Sequence, residues 1–223
     1  MNTKLSKTIS LSLLLFVSTM IFLPSTASTA DVMWEENFES GLDNWYLSGF
    51  NASFLPVAGN FSDTNGILRI TGDDNHENFA EHPSTQATGT WSFDVDVTPT
   101  KRNHFYIAFF GEKMGNLSEV SFSEVIAYEY GILVVTAPLA SWDSEFVFYK
   151  RIKGSSSVTS LGRYSPSQIL GWHHFDITRN IDGEFNVFIN GSLRGSFQDT
   201  TYTTAEVFRL SGGPGPGIDN IVV

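Results

Sequence analysis

The chain has no cysteine among its 223 residues. Disulfides, thiolate metal sites and a cysteine nucleophile are therefore excluded, and whatever fold forms must be held by its core. Basic residues are scarce: 13 Lys and Arg stand against 24 Asp and Glu, for a net charge of −11. Nucleic acid and anionic membrane surfaces reward clustered Lys and Arg, so neither is an expected partner. Long apolar runs are lacking beyond the start of the chain. There is also no amphipathic helix of useful length, no internal repeat at solenoid or propeller period and no linker long enough to divide the chain.

What is present begins with a leader. Lys4 and Lys7 precede an apolar stretch from Ile9 to Leu23, and Ser28-Thr29-Ala30 supplies small residues before a cut. This is the pattern of a secretory signal over residues 1–30, with cleavage expected before Asp31. The apolar stretch is shorter than the ~20 residues a bilayer span needs, and Pro24 follows it. The expected product is residues 31–223, a single secreted or cell-surface domain without a membrane span. Without disulfides, its 19 Phe, 7 Tyr and 5 Trp are first of all packing material.

Strand signals recur along the rest of the chain. In Gly171 to Phe197, Trp172, His174, Asp176 and Thr178 alternate with His173, Phe175 and Ile177; Phe185, Val187 and Ile189 then alternate with Asn186, Phe188 and Asn190. Period-2 runs joined by Asn180-Ile181-Asp182-Gly183 and by Asn190-Gly191 predict three successive antiparallel strands. Trp91, Phe93, Val95 and Val97 point inward in a further run, with Ser92, Asp94 and Asp96 outward on a solvated face. His104 to Phe110, Val125 to Thr136 (interrupted by Tyr130-Gly131) and Glu145 to Ile152 carry apolar residues on both faces, so each is buried twice over or lines an aromatic groove. Ser165 to Leu170 reads as a single helical turn, capped by Ser165 with Pro166 at its first position. Ser211 to Gly217 reads as a breaker-rich loop, and the end strands Trp34 to Phe38 and Ile218 to Val223 are expected to pair. Many short strands with Gly, Asn and Asp turns predict an all-β, antiparallel two-sheet sandwich.

The Trp-His-His strand, the charged turn and the apolar strand ending in Asn-Gly resemble the laminin-G-like branch of the concanavalin A-like lectin/glucanase superfamily. Asn65 to Ile70, Gly89 to Val95 and Gly217 to Val223 fit the same pattern, as does the opening Phe38-Glu39-Ser40-Gly41-Leu42-Asp43-Asn44-Trp45. The resemblance covers nearly all of the chain after the leader. It implies a jelly-roll sandwich and, among possible activities, either glycan recognition or glycan cleavage.

Cleavage with retention needs two carboxyl groups ~5 Å apart, and laminarinase-type relatives carry Glu-x-Asp-x-x-Glu on a central strand. No such run is present: Asp94-Val95-Asp96 lacks the distal Glu, and Glu124 and Glu129 fall on opposite faces. His173 and His174 are expected to order their strand and neighbouring loops. Sugar binding needs only exposed rings with interleaved hydrogen-bonding groups. Trp142, Tyr106, Tyr130, Tyr149 and Arg151 are the candidate ligand residues, each serving either the ligand or the core. Asp73, Asp74 and Glu77 carry enough oxygens for a structural calcium, although their spacing is not that of an EF-hand. Sequons at Asn51, Asn60, Asn116 and Asn190 are possible N-glycosylation sites. The expected function is a non-catalytic, lectin-like module binding carbohydrate or a glycosylated surface. An adhesion or envelope-structural module contacting protein, and a divergent polysaccharide-cleaving enzyme, are the alternatives.

Overall fold

The alternation read in residues 91–97 is realised without a slip: Trp91, Phe93, Val95 and Val97 are fully buried, while Ser92, Asp94 and Asp96 lie on the other face. The structure is a computed structural model and describes residues 32–50, 56–57, 61–71, 77–97, 103–113, 128–136, 144–155, 157–166 and 169–223. The strands are β1 (Glu35–Glu36), β2 (Tyr46–Phe50), β3 (Pro56–Val57), β4 (Phe61–Thr64), β5 (Ile67–Ile70), β6 (Glu77–Pro83), β7 (Gly89–Val97) and β8 (Asn103–Gly111). They continue with β9 (Glu129–Thr136), β10 (Glu145–Arg151), β11 (Val158–Tyr164), β12 (Gly171–Arg179), β13 (Glu184–Ile189), β14 (Ser192–Gln198), β15 (Val207–Gly212) and β16 (Gly217–Val222). No helix is present among the described residues.

Two antiparallel sheets face each other. Sheet I has the order β14-β13-β12-β7-β16-β5-β4, with β1 on β16; sheet II has the order β11-β10-β9-β8-β15-β6-β2-β3. The chain ends pair as expected, Glu35 opposite Val222 and Glu36 opposite Ile221, although β1 is shorter than the Trp34 to Phe38 run. Between the sheets the aromatic residues interlock. Phe93 stacks on Phe175 at 5.4 Å between centroids, and Phe146 meets Phe175 edge-on at 5.1 Å. Such pairs add about 0.5–1.5 kcal/mol each beyond the area they bury. Trp45 closes one end against Trp34, Phe38, His82 and Phe208.

Two local expectations are corrected, while the turn expected over Ser165 to Leu170 is centred on residues 167 and 168, which lie outside the described residues. Tyr130-Gly131 does not interrupt its strand. A Cβ on Gly131 would stand 2.5 Å from the Ile107 carbonyl and 2.7 Å from the Tyr149 hydroxyl, so the glycine is there to let Tyr149 lie across β9. Ser211 and Gly212 extend β15, because Gly212 (φ +127°) lets the backbone approach the His104 carbonyl more closely than any side chain permits.

The outer face of sheet I is ion-paired as well as solvated. His174 Nδ1 and Asp94 Oδ1 are 2.7 Å apart, His174 Nε2 and Asp176 Oδ1 are 3.3 Å apart, and Asn220 donates to Asp94 Oδ2 at 2.8 Å. Arg69 pairs with Asp96. His173, one residue along and buried, bonds through Nε2 to the Ile169 carbonyl at 2.7 Å and so orders the approach to β12. Partial burial lowers the pKa of His174, but the hydrogen bond to Asp94 and the charges of Asp176 and Asp94 outweigh it and raise the value above 6.5.

Gly212→Ala should destabilise the fold by about 1–3 kcal/mol in urea unfolding, and an unchanged midpoint would show that the approach to His104 is not needed. Because the folded-state pKa of His174 is raised, its stabilisation is complete below pH 6.5 and lost as pH rises through the raised value. His174→Gln should therefore flatten the decline of melting temperature across that window.

Candidate functional site

β15 is buried on both faces along its whole length, yet its third residue is an arginine. A guanidinium withdrawn from water must find acceptors for its donors. The register supplies them: Tyr46, Glu81, Arg209, Ala108, Gly131 and Tyr149 lie opposite one another across β2, β6, β15, β8, β9 and β10 on the outer face of sheet II. Glu129 and Arg151 form the adjacent row. Arg209 Nε donates to Glu81 Oε1 at 2.7 Å, Nη1 to Glu129 Oε2 at 2.6 Å and Nη2 to the Glu112 carbonyl at 2.5 Å. On its other oxygen, Glu129 accepts the Tyr149 hydroxyl at 2.8 Å and meets Arg151 Nη1 at 3.3 Å. Arg151 in turn lies over the Tyr106 ring, 4.8 Å from its centroid.

Electrostatics follow from this geometry. Burial disfavours the charged guanidinium of Arg209, but Glu81 and Glu129 more than compensate and raise its pKa. Burial, then the charge on Glu129, pushes the Tyr149 hydroxyl well above its ordinary value. The network is thus two carboxylates and two guanidinia. Glycoside cleavage requires its carboxyl pair to flank an open space that admits the bond and a water or nucleophile. Here Arg209 occupies the space between Glu81 and Glu129, and Glu129 is fully enclosed.

At the β6 end the network reaches the surface. A cleft of about 170 Å³ is lined by Asn44, Tyr46, Glu81, Pro83, Lys113, Glu206 and Val207. Tyr46 is 56% exposed and forms its aromatic wall. Glu206 is held by backbone bonds on both sides, from its N–H to the Gly111 carbonyl and from the Ser84 N–H to its own carbonyl, and its carboxylate accepts the Lys113 N–H at 2.9 Å. The volume is well under the ~300 Å³ of pockets for drug-sized ligands; it suits one ring.

The structure brings three of the expected ligand residues together: Tyr106, Tyr149 and Arg151 share the outer face of sheet II. Tyr149 is fully buried, so its ring offers no face to a ligand, while Tyr106 is only partly buried. Tyr130 points the other way, into the core. Its hydroxyl donates to Asp199 at 2.6 Å, and Asp199 is also bound by Lys150 and Thr201. Burial opposes ionisation of Asp199, yet the bonds from Lys150, Thr201 and Tyr130 hold its pKa well below the carboxylate range, which makes it an anchor for the β14–β15 connection.

Trp142, Asp73, Asp74, Asn51, Asn60 and Asn116 lie outside the described residues, as does the side chain of Glu77. No metal-binding group of His, Cys, Asp or Glu occurs among the described residues. Asn190 is exposed in a tight turn, and its side-chain oxygen accepts the His174 N–H at 2.9 Å. Glu81, Arg209 and Tyr46 were not singled out by the sequence reading, and Glu129 entered it only as one of a carboxylate pair with Glu124, set aside as falling on opposite faces. The one available signal was Arg209 inside Val207-Phe208-Arg209-Leu210, a charge that a doubly buried strand tolerates only with partners.

No protein-family model matches the chain, and no curated protein does. Solved structures do share its fold. A laminarinase from Flavobacterium sp. UMI-01 superposes with a TM-score of 0.61 at 18% identity, over 86% of this chain and 99% of that one. A protein of unknown function with a galectin-like fold from Bacillus subtilis gives 0.60 at 10% identity, over 86% and 94%. The carbohydrate-binding module CBM66 from Bacillus subtilis gives 0.54 at 15% identity, over 81% and 95%. These neighbours are consistent with a concanavalin A-like jelly-roll sandwich, an architecture that carries both a glucan-cleaving enzyme and a binding module. The likeness defines the fold, and the site must define the activity.

The Arg209 clamp predicts a specific stability pattern. Arg209→Met leaves two buried carboxylates without their cation and should cost about 3–5 kcal/mol in urea unfolding. Adding Glu81→Gln and Glu129→Gln to that variant should recover part of the loss. A loss that the added substitutions deepen would contradict the charge-balance account.

Proposed function

We propose that this protein is a secreted, non-catalytic carbohydrate-binding module, of the laminin-G-like branch of its superfamily. Residues 1–30 are the export signal, and residues 31–223 the working domain at the cell surface or outside the cell. The single observation that carries this reading is the cleft at the edge of the Arg209 network. It sets an exposed aromatic ring, Tyr46, beside an amide, an ammonium and two carboxylates, and the carboxylate it shares with the network is already committed to Arg209. Rings of this kind stack on the apolar face of a pyranose while the polar groups bond its hydroxyls.

Tyr106 and Arg151 extend the contact surface along sheet II, and Trp142, which lies outside the described residues, is a further ligand ring in this reading. Asp73, Asp74 and Glu77 hold a structural calcium. Neighbours that include a carbohydrate-binding module, a carbohydrate recognition domain and laminarinases favour a polysaccharide ligand, β-1,3-glucan among them. The laminarinase likeness also favours a second reading, cleavage of that same glycan; the guanidinium between Glu81 and Glu129 argues against it.

A glycan array run with and without calcium tests the proposal. Wild-type protein should bind at least one polysaccharide, and Tyr46→Ala and Trp142→Ala should each weaken that binding by about tenfold, or 1.4 kcal/mol. A blank array together with a retained protein partner would overturn it. Chelator should lower the melting temperature, since calcium at a hundred times its Kd stabilises by about 2.7 kcal/mol; no shift removes the metal from the account.

A further inference from the structure

Trp34, Trp45 and Trp91 are packed into the sandwich or its closed end, whereas Trp172 is 49% exposed. It lies on the outer face of sheet I, turned away from the core by the same alternation that buries His173 and Phe175. No side-chain hydrogen bond or ring contact of the indole occurs among the described residues, and leaving half of it in water forgoes the stabilisation its burial would bring. Around it the backbone is bare: a Cβ at Gly171, or at Gly191 in the neighbouring turn, would meet no heavy atom within 4 Å.

The surroundings of the ring are polar and already fixed. Asp96 lies opposite Trp172 in the β7–β12 register and is ion-paired with Arg69. Two residues along, His174 is held between Asp94 and Asp176, and Asp94 also takes the Asn220 amide. Asp176 accepts the Ser92 hydroxyl at 2.9 Å. Carboxylates with these partners still have lone pairs to accept hydroxyl donors, and their mutual bonds mean that little ordering remains to be done on binding.

We propose that the face around Trp172 is a second sugar-contact platform, on the sheet opposite the Tyr46 cleft, which takes a ring of a neutral glycan chain stacked on the indole. It extends the carbohydrate reading above and rests on it only for the class of ligand. Charge selects the neutral class. The carboxylates of Asp94, Asp96, Asp176 and Asp219 outnumber the cations Arg69 and His174 on this face, and the whole chain carries −11, so uronates and sulfated sugars are repelled. Surroundings of this kind also disfavour a protein partner, because interface cores are depleted of charge. One open ring beside fixed acceptors matches a sugar with an apolar face and hydroxyl edges.

Affinity electrophoresis of the full domain tests this, in gels containing β-1,3-glucan, β-1,4-glucan, mannan or, as the anionic control, polygalacturonate. Trp172→Ala should weaken retardation by a neutral polysaccharide about tenfold, in the wild-type and the Tyr46→Ala backgrounds alike, while Trp172→Phe, which keeps a ring, retains part of it. Matching melting temperatures of the two Trp172 variants exclude misfolding as the cause. If wild type is retarded and Trp172→Ala is retarded equally in both backgrounds, the second platform is overturned and the Tyr46 cleft stands. Retardation in none of the neutral gels overturns both. Stronger retardation by polygalacturonate than by the neutral chains overturns the ligand class.

Discussion

A guanidinium enclosed by protein on every side governs how sheet II is built. Arg209 sits in a strand whose two faces are both withdrawn from water, and an unpaired cation there would cost several kcal/mol. Its three nitrogens are therefore spent on Glu81, Glu129 and the Glu112 carbonyl. Each partner brings a further demand. Glu129 needs Tyr149 and Arg151, Tyr149 needs the absent side chain at Gly131, and Arg151 rests on Tyr106. The register of β6, β15, β8, β9 and β10 is the arrangement that satisfies all of these together, and a one-residue slip of any strand would bury charges without partners.

The outer faces of the two sheets consequently differ in kind. On sheet II the charges around Arg209 are internal and balanced, and Glu81 carries that network to the cleft beside Tyr46. On sheet I they are partly solvated rungs across β12, β7, β16 and β5, with Trp172 among them. A fold shared with both glucanases and binding modules leaves the activity open, and the chemistry of the carboxylates narrows it. An acid that protonates a leaving group must be able to gain and give a proton beside the substrate. Glu129 is enclosed and bonded to Arg209, Arg151 and Tyr149, so it acts as a strut within sheet II.

Much of this architecture was legible in the sequence wherever one face of a strand meets water. β7, β12 and β13 alternate cleanly, Asn190-Gly191 marks its turn with positive φ at both residues, and the chain ends pair as their patterns imply. Legibility failed where both faces are buried, because alternation then vanishes. In β9 and β15, Gly131 and Gly212 read as breaks, when in fact they admit close backbone and ring contacts. Tyr130 and Tyr149 read alike as aromatic candidates, yet one enters the core and both are enclosed. The Arg209 clamp joins residues on strands far apart in the chain, and only the sheet order reveals that Glu81, Glu129 and Arg209 are neighbours.

The central claim is that this domain holds a glycan without breaking it. Mass spectrometry of the bound polysaccharide or oligosaccharide, recovered after prolonged incubation with saturating protein, tests that claim most directly. Recovery of the chains at their original length is the expected result. Shortened chains, absent when the protein is heat-denatured beforehand, would show that a reactive acid pair escapes the Arg209 clamp and would contradict the account.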